Sequence, residues 1–292
     1  MTIGELSTLF NEAIQLPTSS SSADSTSSLL EVVPMIGWRR DMAWPDTGLP
    51  WVPPSPNLPA VSSAVVYGAT VFLEATSVSE GRGTTTPFEQ FGAPFLGAQV
   101  GGWVGGWGPA LALFSFCIAV QLNALCCVVL ILFLMVVSAY FCDRIQCVCM
   151  LCVSSLQALA TRLAKDFPLP APNSQDSAFR AAYYIPSFSK FNGTTVPGVQ
   201  WFSARTSSAY ETFLSGTAIL CAVRDLATPA EAFVWDGVWF GHPGPELIDQ
   251  YAGTSLYRTL LDNRALSAED IVEVFSEDVR VFSETRKAYL LY

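Results

Sequence analysis

The sequence predicts an α+β fold in which short strands are flanked by helices and a long apolar helical insertion interrupts them. Three observations predict it. Segments with apolar residues at helical spacing are interspersed with short strand-like runs, a polar glycine-punctuated stretch from Glu74 to Pro94 separates them, and seven of the eight cysteines fall between residues 97 and 155. The 292 residues suffice for one large domain or two ordinary ones. Net charge is −10 and the Lys and Arg residues are scattered, which excludes a nucleic-acid or anionic-surface partner.

Residues 1–15 place Ile3, Leu6, Leu9, Phe10 and Ile14 at helical spacing, and Thr2 with Glu5 forms a capping box, so an amphipathic helix opens the chain. Residues 18–28 hold seven serines and two threonines and read as a flexible loop, followed by a short strand candidate at 30–35. Residues 37–59 combine Trp38, Trp44 and Trp51 with several prolines, which gives a rigid extended loop barred from a central sheet. Such a loop packs as a lid, or lines a pocket through Pro54, Ser55 and Asn57 with tryptophan faces suited to a sugar ring.

Glu74 to Pro94 follows an apolar alternating run, 64–73, and is expected to be neither core strand nor helix interior. Gly81 and Gly83 flank Arg82 and permit backbone angles closed to other residues, so Arg82 is expected on a tight turn with Glu74, Glu80 and Glu89 nearby. The plain alternative is a solvated turn with a surface Glu–Arg pair, which contributes little. Downstream, Leu156, Leu159, Leu163 and Phe167 mark a helix, and Pro168, Pro170 and Pro172 a stiff connector. Strands are expected at 179–185 and 198–205, helices at 210–226 and 247–261, and a final helix capped by Ser267. The segment 229–239 reads as a strand edge or packing turn, His242 as an incidental loop residue, and the terminal 286–292 as a closing strand.

Several motifs then recur together: MTIGELSTLFNEA, PMIGWRRDMAW, LPWVPPSPNLP, SEGRGTTTPFEQFGAPF, IPSFSKFNG, YAGT and RKAYLLY. In this order the chain resembles the NamZ/YbbC-type exo-β-N-acetylmuramidase family, with WVPPSPN and SEGRGT the most specific segments. The resemblance implies a Rossmann-like catalytic domain followed by a smaller β-rich domain with the cleft between them. It divides the chain into 1–29, the terminal helix of a truncated first domain plus the serine-rich loop; 30–96 with 156–292, the C-terminal domain; and 97–155, the insertion. It implies a muramyl sugar or peptidoglycan fragment as partner, with Pro54, Ser55, Asn57, Glu80, Arg82 and Lys190 on the substrate side and Glu74 and Glu80 as the catalytic candidates. Lys190 would contact a lactyl carboxylate or substrate oxygen, or else be a solvated lysine. The glutamate proposed as catalytic in the family belongs to a Pro-Glu-His-Gly segment that this sequence lacks. Glycoside hydrolysis ordinarily uses two carboxyl groups, so the expected outcome is a substrate-cleft domain inactive alone. Departures from the family pattern are Tyr67-Gly68-Ala69, where Tyr-Pro-Gly is usual, and Glu74-Ala75-Thr76-Ser77, where Glu-Gly-Thr-Asn is usual.

The insertion contains 110–141, 32 uncharged residues and longer than the roughly 20 that cross a bilayer. A single crossing would put the two halves of one domain on opposite sides. Three readings follow: a helical hairpin that anchors the domain in a membrane, a buried apolar hairpin, or a segment foreign to the mature protein. The cysteine run Cys147, Cys149 and Cys152 lacks a fourth ligand at zinc spacing, so neither metal nor other cofactor is expected. A reading from another class stands beside the hydrolase: a non-catalytic carbohydrate-binding or membrane-tethered interaction protein.

Overall fold

The computed structural model describes residues 1–14, 30–97, 159–163, 177–203, 212–227, 230–236 and 245–292. The insertion beyond Gly97, its candidate membrane segment 110–141 and its seven cysteines lie outside the described residues, as do the serine-rich loop, the proline connector and His242. Among the described residues no helix is long and apolar enough to cross a membrane, so the long apolar helix has no counterpart there.

The fold is α+β, with less strand than expected. One antiparallel sheet of three strands, β1 (Gln90–Gly92), β2 (Ser177–Tyr184) and β3 (Val196–Ser203), runs in the order β1-β3-β2. Its register sets Gln90 and Arg180 on either side of Gln200, and Phe91 and Ala181 on either side of Val199. Because directly opposed residues share a face, the first trio forms a polar cross-strand row and the second an apolar one. Val199 and Trp201 are fully buried, and Phe179 stacks on Trp201 with ring centroids 5.3 Å apart.

The helices are α1 (Ile3–Ile14), α2 (Val61–Thr70), α3 (Thr212–Leu226), α4 (Glu246–Ala252), α5 (Ser255–Asp262), α6 (Ala268–Glu273) and α7 (Ser276–Thr285). The core joins α2, α3, α5 and α6 to the sheet through Val66, Leu73, Phe91, Ile219, Tyr257 and Ile271. Each large apolar side chain buried there contributes on the order of 1.5–3 kcal/mol. Close helix approach is written in small residues: a Cβ on Gly216 would meet the Ala69 carbonyl oxygen at 2.8 Å.

Local signals were realised where one element could satisfy itself. Thr2 and Glu5 form the reciprocal cap of α1, with Thr2 N–H donating to Glu5 Oε2 at 2.7 Å and Glu5 N–H to Thr2 Oγ1 at 3.3 Å. Ser267 caps α6 and accepts from Asp270 N–H. That helix is not the last, because α7 follows it.

Other expectations are corrected. In α1 the buried residue is Glu5, while Ile3, Phe10 and Ile14 are exposed. The alternating run 64–73 is α2 continued by a 3-10 turn, Val71–Ala75. The 30–35 segment is not a strand: it joins no ladder among the described residues, and Met35 N–H donates to the Tyr292 hydroxyl at 2.6 Å. Nor is 286–292 a strand, since Arg286–Tyr289 is a 3-10 turn and Leu291 N–H donates to Glu5 Oε1. The expected helix at 247–261 divides at Gly253, whose φ of 71° closes α4 before Thr254 caps α5. The polar stretch from Glu74 to Pro94 does contain a core strand, β1, all three of whose residues are buried.

Candidate functional site

The site is built on the Gly81–Arg82–Gly83 turn. Gly81 and Gly83 have φ of 79° and 81°, a region that disfavours side chains. A Cβ on Gly83 would lie 2.6 Å from the Phe188 carbonyl oxygen, so only glycine lets the loop after β2 close on the turn. The closure is sealed by Ser187, whose N–H and hydroxyl both donate to the Gly83 carbonyl at 2.9 Å.

Beneath this junction lies a buried charge cluster. Arg82 donates twice to Glu74 Oε1, through Nε at 3.1 Å and through Nη2, and its Nε lies 3.3 Å from Glu80 Oε1. Tyr251 donates its hydroxyl to the other oxygen of Glu74 at 2.6 Å. Burial and that hydrogen bond push the Tyr251 phenol well above its ordinary range. Burial, and then the Glu74 charge, act the same way on Tyr67, whose ring meets Phe88 edge-on at 4.8 Å. The Arg82 guanidinium rests 5.1 Å over the Phe88 ring. Two carboxylates and two cations thus sum to zero under the turn.

Lys190 is the second cation, and its environment revises the expectation for it. It is only 7% exposed and donates to the carbonyls of Leu73 at 2.9 Å, Glu74 at 3.2 Å and Val78 at 3.0 Å. A lysine ammonium has three N–H groups, so all three are committed. Its 3.1 Å approach to Glu80 Oε2 is an ion pair without a hydrogen bond of its own, and that oxygen has no hydrogen-bond donor among the described residues. The backbone twists to bring Lys190 inward: its neighbours Ser189 and Phe191 have φ of 70° and 58°. Such non-glycine angles cost about 1–3 kcal/mol each. Lys190 is neither solvated nor free to reach a ligand; it ties loop 73–80 to loop 187–191.

Glu89 serves elsewhere, accepting from the Ser62 and Ser63 hydroxyls at 2.9 and 2.7 Å in the first turn of α2. A carboxylate there also complements the positive end of the helix dipole. Pro54, Ser55 and Asn57 are not brought to this cluster. They form their own turn, in which Asn57 N–H donates to Ser55 Oγ at 3.2 Å, and Trp44 and Trp51 pack edge to face at 5.3 Å.

Above the cluster opens a cavity of about 700 Å³, bounded by Gly83–Thr86, Gln90, the end of β2 and the Ser187–Phe188 loop. That size is typical of a ligand site. Among the described residues Arg180 is the only charged one on its wall, and neither a carboxylate nor Pro54, Ser55 or Asn57 borders it. Tyr183 and Phe188 are half-exposed there, Gln90 Nε2 donates to Thr84 Oγ1 at 2.6 Å, and the Tyr184 hydroxyl donates to the Ser79 carbonyl. A second cavity of about 350 Å³ lies beside Trp235, but Arg258 and Arg224 on its wall already pair with Asp249 and Asp225. The sequence reading missed Arg180, Gln200 and Tyr251. The strand alternation around Arg180 was the available signal, but it does not say which face meets the cavity.

The fold and cavity define an α+β domain with a polar, aromatic-edged cleft over a neutralised charge cluster. The family model described as exo-β-N-acetylmuramidase NamZ, C-terminal, matches residues 65–101 and 155–292, and the N-terminal model of the same family matches residues 1–62. The chain belongs to the NamZ exo-β-N-acetylmuramidase family. It is 31% identical over all 292 residues to the peptidoglycan β-N-acetylmuramidase NamZ of Bacillus subtilis strain 168 and spans 50% of that relative's length. The crystal structure of a DUF1343 family protein from Bacteroides fragilis shares the fold, with a TM-score of 0.58 at 22% identity over 99% of this chain and 55% of that one. The expectation that the N-terminal domain is largely missing is not borne out, since residues 1–62 match its model.

Proposed function

We propose that this chain forms the saccharide-binding part of a peptidoglycan-directed β-N-acetylmuramidase and binds a muramyl sugar in the Thr84–Arg180–Phe188 cavity without hydrolysing it unaided. Family membership supports the glycosidase class. The observation that carries the binding role is the wall composition: hydroxyl and amide groups with two half-exposed aromatic rings, and no carboxylate among the described residues. Aromatic faces beside hydrogen-bonding groups suit a pyranose ring. A general acid must present a proton to a substrate oxygen, whereas Glu74 has both oxygens engaged as acceptors and Glu80 is 1% exposed. Both are assigned to holding the turn and loop, with Arg82 and Lys190 as their counter-charges. The carboxylate-free wall equally favours the non-catalytic carbohydrate-binding reading.

Two measurements on the full chain test this. Calorimetric titration with N-acetylmuramic acid should give saturable binding, and a chromogenic N-acetylmuramide should show no release above the uncatalysed rate. Turnover by the purified chain would overturn the binding-only role, and absence of saturable binding would overturn the saccharide site.

A further inference from the structure

Resting on the saccharide reading of the cavity, we propose that Arg180 reads the carboxylate of an acidic sugar and sets the preference for a lactyl-bearing amino sugar over an uncharged one. Of the cations Arg82, Lys190 and Arg180, only Arg180 lines the cavity, and the other two are neutralised in the cluster beneath it. Arg82 faces Glu74 and Glu80, and Lys190 faces Glu80 with its three donors committed to carbonyls. Arg180 differs. It is exposed, and among the described residues it is the only charged one on the cavity wall and no carboxylate pairs with it.

Its orientation is nevertheless fixed. Nε and Nη2 both donate to Gln200 Oε1, at 3.1 and 2.7 Å, and the guanidinium lies 5.0 Å over the Phe202 ring. Gln200 is held in turn by sheet register, opposite both Arg180 and Gln90. A neutral amide therefore aims the fork without cancelling its charge. The planar guanidinium offers five N–H groups, two of which go to Gln200. The remainder match the two oxygens of a carboxylate, the geometry in which arginine outperforms lysine. With a chain net charge of −10, long-range steering disfavours an anion. Recognition of an acidic sugar then falls to a local cation, and Arg180 is the one with charge to spare.

The test compares N-acetylmuramic acid with its methyl ester, which keeps the shape and loses the charge. The wild-type chain is expected to bind the acid more tightly by about 10-fold or more, the worth of a charge-assisted hydrogen bond. Arg180→Gln is expected to bind acid and ester alike, and Arg180→Lys to recover part of the preference. Amide spectra matching the wild type establish that each variant is folded. Retention of the full preference in Arg180→Gln overturns the assignment. Equal wild-type binding of acid and ester also overturns it while leaving the saccharide reading intact, and binding of neither sugar removes both.

Discussion

Replacing Lys190 with methionine removes the ammonium and keeps most of the stem volume, so it isolates the electrostatic role of the residue. Two costs follow from the structure. Glu80, 1% exposed, loses its 3.1 Å counter-charge, and breaking a buried pair from one side costs about 3–5 kcal/mol. The carbonyls of Leu73, Glu74 and Val78 lose a shared donor, at about 1 kcal/mol for each hydrogen bond. Water entering the opened loop offsets some of this, which leaves a loss of about 4 kcal/mol against a typical domain stability of 5–15 kcal/mol. The assay is urea unfolding followed by tryptophan fluorescence, with the midpoint and slope fitted together. The double variant Lys190→Met with Glu80→Gln carries no stranded charge and is expected to recover about 2 kcal/mol of the loss. A single-variant loss below about 1 kcal/mol, the range of an exposed pair, would refute the reasoning. So would a double variant no more stable than the single one.

Gly83→Ala is expected to separate the turn from the loop after β2, because the new Cβ meets the backbone N and O of Phe188 at 2.7 and 2.6 Å at a φ of 81°; the check is a loss of more than about 2 kcal/mol in unfolding together with loss of saccharide binding. Tyr251→Phe deletes the 2.6 Å hydrogen bond to Glu74 and is expected to cost about 1.5–3 kcal/mol, the value for a bond to a charged group, as read by the same urea series. The pH dependence turns on Glu5. Burial works to raise its carboxyl, but the N–H groups of Leu291 and Thr2 and the Arg40 guanidinium outweigh that and lower it to about 2. A depressed folded-state value means that its contribution is complete above the unfolded value near 4.5 and disappears as pH falls toward 2. The Tm gap between wild type and Glu5→Gln is therefore expected to shrink between pH 4.5 and 2; a gap independent of pH across that window counts against the role of Glu5 as the tie between α1, Arg40 and Leu291.

What was legible in the sequence is what neighbouring residues decide. The Thr2–Glu5 cap, the Ser267 cap, the glycine-flanked Arg82 turn and the strands around Phe179 and Val199 each follow from a few adjacent side chains. The failures share a cause. Leu30–Met35 and the terminal Arg286–Tyr292 have strand-like composition, but a strand exists only within a ladder, and among the described residues neither segment joins one. Lys190 and Glu80 lie far apart in the chain, and only tertiary closure through two left-handed residues makes their pairing visible. The same holds for Tyr251, which reaches Glu74 from α4. Arg180 was passed over because period-two alternation identifies its strand, while the face that meets the cavity depends on Gln200 across the ladder.

On the proposed function, a saccharide binds in the cavity over the Arg82 turn. The most direct measurement is a titration of the isotopically labelled chain with N-acetylmuramic acid, followed by amide and side-chain NMR. Saturable shifts confined to Thr84–Thr86, Arg180, Phe188 and Gln200 are the expected result. Shifts centred on Trp235 and Arg258, or none that saturate, would contradict it.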